Sequence, residues 1–192
     1  MLVYGKNVVN EILNGDTKIY KVFLDNNFKD EELLSKINKF NLKKFHIDKN
    51  KLDKMCNNSS NQGIALDIEE YKYLNLESIV NDLDSNFIVM LDSIEDPHNF
   101  GAIIRTCECA GVNYIIIPKN RSVSVNSTVY KTSAGAVNNV KIVEVVNLSN
   151  TIKKLVSDSC DEIVSIPMKG KLNSLNASVA AGILIFEIMK YK

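Results

Sequence analysis

Two stretches of the chain gather residue types that can do chemistry. The first runs Asp92-Ser93-Ile94-Glu95-Asp96-Pro97-His98-Asn99-Phe100-Gly101-Ala102-Ile103-Ile104-Arg105-Thr106, directly after an apolar run. Open α/β sheets place their ligand sites just past the carboxyl ends of such strands. Gly101 and Arg105 stand four residues apart, so on a helix the guanidinium rises over a turn that carries no side chain, which leaves room for a ligand. Asn99 either caps that helix or faces the ligand. The same residues also read as a plain helix start, with Arg105 paired to Glu108, and both readings stay open at this level. The second stretch runs Ile166-Pro167-Met168-Lys169-Gly170-Lys171-Leu172-Asn173-Ser174-Leu175-Asn176-Ala177-Ser178-Val179-Ala180-Ala181-Gly182 and reads as a loop leading into the last helix. One short polar side chain suffices to cap a helix, whereas Asn173, Ser174, Asn176 and Ser178 offer four, a surplus that suits a polar ligand. Ala177, Ala180, Ala181 and Gly182 give this helix small faces for a close approach to another backbone.

The elements that must position these stretches follow from hydrophobic periodicity. Val8, Val9, Ile12 and Leu13 mark a first helix, Ile19 to Leu24 a strand, Leu33, Leu34, Ile37 and Phe40 a second helix, Lys44 to Ile47 a strand and Gly63 to Ile68 another. The polar, acidic stretch from 76 to 86 reads as a linker, separating a domain at 1–75 from one at 87–192. The second domain opens with Phe87-Ile88-Val89-Met90-Leu91, a run typical of strands buried on both faces. A helix from Phe100 to Ala110 and strands at Tyr114–Ile117 and Val140–Val146 continue the alternation, so the fold class is α/β, with a parallel sheet covered by helices.

Composition excludes several function classes. The 192 residues carry 23 basic and 23 acidic side chains, so net charge announces neither a membrane surface nor a nucleic-acid partner. Locally the balance differs: Lys and Arg outnumber Asp and Glu seven to two from Lys36 to Lys54 and five to one from Pro97 to Lys141, which points to a phosphate-rich partner. Lys43, Lys44, Lys49, Lys51, Arg121 and Lys131 are the candidate contacts. Cys107 and Cys109, two apart on a helix, point in different directions and read as small core residues, and two histidines do not make a metal site. No GxxxxGK[ST] loop, G-x-S-x-G elbow or G-x-G-x-x-G turn is present, which removes most NTPases, α/β hydrolases and dehydrogenases. The start of the chain lacks a signal-peptide pattern, no apolar run is long enough to span a bilayer, and the cysteines have no disulfide-framework spacing, so a cytoplasmic location is expected.

Taken together, DPHNFGAIIRTCECAGV and IPMKGKLNSLNASVAAGILIFE resemble the first and third motifs of the SpoU (TrmH-type) RNA 2′-O-ribose methyltransferases of the SPOUT superfamily. YGKNVVNEIL and the spacing after it resemble the ribosomal-protein-L30e-like substrate-binding domain of that family. The overall look is that of its bacterial large-subunit rRNA guanosine methyltransferases. The resemblance implies an α/β-knot (trefoil) second domain, S-adenosylmethionine as cofactor, RNA as substrate and a homodimer. It implies that Asn99 and Arg105 are catalytic, joined at the reacting centre by Ser174 and Asn176, and that Ile166, Met168, Gly170, Ser174, Leu175, Asn176 and Ser178 line the cofactor pocket. It implies rRNA first and tRNA second as the target.

One departure stands beside the match. The family carries a further strand and a glycine-rich second motif of the form GSEG before the third motif. This chain runs from Leu148 through Cys160 straight into Glu162-Ile163-Val164-Ser165-Ile166, as though several tens of residues were excised near Leu155 to Val156. A catalytically silent RNA-binding protein is the alternative that this departure raises.

Overall fold

The computed structural model describes residues 1–40, 42–57, 60–79, 87–155, 164–170 and 174–191. The chain divides into two compact units, Met1–Lys72 with Val125–Asn139, and Tyr73–Ser124 with Val140–Lys192.

The first unit is built from β1 (Leu2–Tyr4), α1 (Lys6–Asn14), β2 (Ile19–Asp25), α2 (Glu31–Asn38), β3 (Lys43–Ile47), α3 (Lys49–Cys56) and β4 (Ile64–Ile68). Its sheet has the order β1-β4-β2-β3, with β4 antiparallel to both neighbours and β3 parallel to β2. Val22 and Leu24 of β2 are fully buried, as are the apolar stripes of α1 (Val8, Val9, Ile12, Leu13) and α2 (Leu33, Ile37). α3 packs on β1, β4 and β2, where Leu52 and Cys56 close over Tyr4 and Ala65. α2 starts at Asp30, whose carboxylate accepts from the Leu33 amide at 3.1 Å and pairs with Lys6 Nζ at 2.8 Å. The Lys6 ammonium holds this carboxyl below the usual range.

The later segment in this unit carries α5 (Ser127–Thr132), capped by Asn126, which accepts from the amides of Thr128 at 3.0 Å and Val129 at 3.1 Å. α5 packs on β1, and Lys131 Nζ stands 5.2 Å from the Tyr4 ring centroid. Gly135 follows at φ +90°, and a Cβ there would lie 2.6 Å from Glu11 Cβ, so both backbone conformation and space demand glycine.

The second unit holds β5 (Ile88–Met90), α4 (Pro97–Cys109), β6 (Tyr114–Pro118), β7 (Lys141–Val145), α6 (Leu148–Leu155) and α7 (Ala177–Met189). β5, β6 and β7 form a parallel sheet in that order. Leu76, Ile79, Tyr114, Ile116, Val143 and Val145 make the core on one face, with Leu148 and Leu155 of α6 against it. The alternate residues Ile115, Ile117 and Ile142 are buried as well, as sheet residues covered on both faces must be.

Two sequence expectations need correction here. The run from Phe87 to Leu91 is buried only at its ends: Ile88, Val89 and Met90 are half-exposed, because β5 is an edge strand and no strand pairs with its outer side among the described residues. The stretch taken as a linker is in part structure, since Leu76–Ser78 forms a 3-10 turn and Leu76 and Ile79 enter the core. The rest of that stretch, 80–86, lies outside the described residues, as does 156–163 around the inferred excision. No described helix is long and apolar enough to cross a membrane.

Candidate active site

α4 begins where β5 ends, and its cap is Asp96, whose carboxylate accepts from the His98 amide at 3.0 Å with Pro97 at the first helical position. Asn99 is therefore not the cap, and its side chain is left for another partner. That partner comes from the far end of the sequence: Asn176 Nδ2 donates to Asn99 Oδ1 at 2.9 Å, across 77 residues. Asn176 caps α7 at the same time, its Oδ1 accepting from the Ser178 amide at 2.9 Å, the Ser178 hydroxyl at 2.6 Å and the Val179 amide at 3.4 Å. One amide side chain thus uses its acceptor to start a helix and its donor to tie that helix to the first turn of α4.

The packing of α7 on α4 reinforces this tie. A Cβ at Gly182 would meet Thr106 Cγ2 at 3.8 Å, an ordinary contact, so space does not require a glycine at that position.

Arg105 is exposed on α4 and makes no ion pair among the described residues, so the pairing with Glu108 is absent and the guanidinium is available. Gly101, one turn earlier, is buried. The α4 cysteines differ: Cys107 is in the core, where burial pushes its thiol up to about 12, while Cys109 is exposed, with Sγ 3.7 Å from Glu108 Oε2, and corrects its core assignment. No group of histidine, cysteine or carboxylate side chains able to hold a metal occurs among the described residues.

The third-motif residues lie in the loop before α7 and, for Ser178, in its first turn. Ile166 is half-buried, Met168 and Leu175 are 39% and 40% exposed, Gly170 and Ser174 are exposed, and Ser178 is half-buried against its cap. Asn173 lies outside the described residues. Along this stretch exposed apolar side chains follow one another in sequence with hydroxyl and amide side chains, a set that would suit a ligand with a flat apolar base and polar sugar and amino-acid groups, as S-adenosylmethionine has.

The basic candidates are dispersed. Lys43 and Lys44 are exposed on β3, where Lys44 Nζ donates to Asn38 Oδ1, and Lys49 and Lys51 are exposed on α3. Arg121 is exposed at φ +58° in the loop after β6, and Lys131 is engaged with Tyr4. Sequence reasoning missed Asp96 as the α4 cap and the second role of Asn176, although Asp-Pro before a helical pattern is a usable signal for the former.

Asn176→Asp separates the two roles of that residue. The cap survives, because aspartate accepts as well as asparagine, so thermal unfolding by circular dichroism changes little. The donor to Asn99 is lost, so the tie between α7 and the first turn of α4 weakens, and amide hydrogen exchange in that turn speeds up by about tenfold.

Comparison with known proteins places these features. The SpoU rRNA Methylase family model matches residues 86–159 and 149–186, and the model for RNA 2′-O ribose methyltransferase substrate binding matches residues 2–74. A TrmH-family protein of Bacillus subtilis (strain 168) is 30% identical over 236 residues, covering 98% of this chain and 94% of the relative. One from Staphylococcus epidermidis is 30% identical over 238, with 99% and 95% covered. The first alignment exceeds the 192 residues of this chain by 44 positions, so at least 44 positions of the relative, in total, have no counterpart here. The SpoU methyltransferase AviRb from Streptomyces viridochromogenes, solved with AdoMet, superposes with a TM-score of 0.80 at 15% identity, covering 100% of this chain and 89% of that one. An AdoMet-bound rRNA methyltransferase from Sinorhizobium meliloti gives 0.77 at 18%, covering 99% and 87%. Over both of its parts, then, the chain belongs to the SpoU rRNA methylase family, whose members are S-adenosylmethionine-dependent RNA methyltransferases.

Proposed function

We propose that this chain methylates a ribose 2′-hydroxyl of RNA, on a guanosine of large-subunit rRNA, with tRNA as the second substrate class. The observation that carries the proposal is the Asn176–Asn99 hydrogen bond, which brings the third motif onto the helix that carries Arg105, exposed and without an ion pair among the described residues. A ribose hydroxyl is a poor nucleophile at neutral pH. A fixed guanidinium within reach stabilises the developing alkoxide, and Arg105 is the cation that α4 offers for this task. Asn99, held by Asn176, keeps a fixed orientation and can position a ribose or a water without paying ordering entropy during the reaction. Ile166, Met168 and Leu175 would cover the adenine of the cofactor, with Gly170 leaving room and Ser174 and Ser178 beside its polar groups. When bound, the cofactor supplies a sulfonium-activated methyl group. Lys43, Lys44, Lys49, Lys51, Arg121 and Lys131 are the residues we assign to RNA phosphates.

The proposal includes a homodimer. α7 carries an exposed apolar row, Val179, Ile183 and Phe186, with Ile188 and Met189 beside it, on a helix apolar all round. Such a surface in water calls for a partner, and a second copy is the one we assign, together with the knotted threading of the second unit.

A specific observation favours a second reading. This sequence lacks the glycine-rich second motif, at least 44 alignment positions of the relative have no counterpart in it, and the outer edge of β5 has no strand beside it among the described residues. A chain without that wall binds RNA but not cofactor. Calorimetric titration with S-adenosylmethionine and its demethylated product separates the two: saturable binding supports the methyltransferase, and no heat from a folded chain that still binds rRNA supports the silent RNA-binding protein.

A further inference from the structure

β3 is one of the two edge strands of the first unit, and its side chains alternate between two faces. Lys43, Phe45 and Ile47 share one face, and their register partners on β2 are Lys21, Phe23 and Asp25. Ile47 and Phe23 pack on the cluster under α3, so this is the face that α3 covers. Its cover lies over β1, β4 and β2, and at the β3 margin Phe45 remains 40% exposed. The Phe45 ring is stacked on Phe23, with centroids 5.5 Å apart and planes 25° from parallel. Phe45 is thus the outer plate of an aromatic pair, held by a half-buried ring beneath it.

Its surroundings are cationic. Lys43, two residues before it on the same face, makes no ion pair among the described residues. Lys21, opposite Lys43, is 48% exposed and has only a long contact, 3.9 Å, to Asp67. Asp25, opposite Ile47, accepts the Asn27 amide at 3.1 Å. Lysines commonly guard an edge strand against pairing, but a phenylalanine kept in water works against that guard.

We propose that this margin of the sheet is a stacking platform for an unpaired RNA base, with Phe45 as the plate and Lys43 and Lys21 holding the flanking phosphates. The inference rests on the reading of the chain as RNA-binding and deepens it: the substrate class becomes RNA with a single-stranded loop or bulge. Base stacking on an aromatic ring and neutralisation of the backbone by lysine are the two terms of single-strand recognition, and both are present in two neighbouring same-face register pairs, Phe45–Phe23 and Lys43–Lys21. A duplex, whose bases are closed in their own stack, offers nothing to Phe45.

The chain contains no tryptophan, so Phe45→Trp introduces a single tryptophan at the plate, whose emission is read apart from the tyrosines by excitation at the red edge. Its emission is quenched on titration with a single-stranded oligouridylate and stays unchanged on titration with an RNA duplex of equal length. In fluorescence anisotropy, Phe45→Leu, an apolar change at an exposed site, weakens single-strand binding by about tenfold with no change in the slope of log K against log salt. Lys43→Gln instead reduces that slope by about 0.7. Absence of quenching, or equal single-strand affinity for Phe45→Leu and the parent, overturns the platform while leaving RNA binding intact. An equal loss for duplex and single strand overturns it too. A folded chain that binds neither RNA form overturns the platform and the RNA reading together.

Discussion

Arg105→Ala lowers methyl transfer by a hundredfold or more and leaves stability unchanged. Arg105 is exposed, unpaired among the described residues, and inside a helix where alanine is the better helix former, so removal opens no cavity and strands no buried group. The loss falls on the reaction alone. General acid–base and charge-stabilising groups typically contribute ~10²–10⁴-fold, and a poor nucleophile places the demand near the upper part of that range. Arg105→Lys recovers only part of the rate, because an ammonium keeps the charge but not the planar fork of donors. The measurement is transfer of labelled methyl from S-adenosylmethionine to rRNA, alongside thermal melting. An unchanged rate in the alanine variant removes Arg105 from the reacting centre.

Phe100→Ala has the opposite signature. Phe100 is fully buried in the first turn of α4, next to Asn99. Truncating a buried phenylalanine costs ~3–5 kcal/mol, the lost transfer energy plus the cavity left behind. Set against a typical total of about 5–15 kcal/mol, this removes much of the stability of the second unit and lowers its melting temperature by more than about 10 °C. Methyl transfer disappears together with the fold. Phe100→Leu keeps most of the volume and loses a smaller share of both. Denaturant unfolding with near-ultraviolet detection reads the change, and a melting temperature unaffected by the alanine variant would mean that α4 is not anchored through this ring.

The two variants separate what α4 does as a scaffold from what it presents. The buried stripe of Phe100, Ile103, Ile104 and Cys107 secures the helix, and the exposed Arg105 does not contribute to that security. RNA enters this division from the first unit, where stability rests on the stripes of α1 and α2 and the exposed β3 margin is free to bind.

The sequence by itself determined much of this protein. The periodic stripes of α1, α2 and α4, the β-branched strands β6 and β7, the α/β class and both motif stretches are legible because apolar periodicity is a local property, readable wherever an element buries one face. Most of the elements missed have a weak local signal; α6 does not, since Leu148, Ile152 and Leu155 are spaced for one helix face. β1 has three residues, and α3, with the sequence KNKLDKMC, turns only Leu52 and Cys56 inward, so its helicity comes from packing over Tyr4 and Ala65. α5 depends on an asparagine cap in a stretch of mixed polar residues.

Only the tertiary structure decided the rest. It placed β5 at a sheet edge, which its apolar run had concealed, because burial depends on which strands stand alongside and not on the strand's own residues. It chose Asp96 over Asn99 as the cap of α4 and gave the freed Asn99 to Asn176. Among the basic side chains it separated Lys131, engaged with Tyr4, from Lys43, which makes no ion pair among the described residues and stands beside an exposed ring. Each of these outcomes is a competition between partners distant in the sequence, and such a competition is settled by which groups the folded chain brings within hydrogen-bond or van der Waals distance.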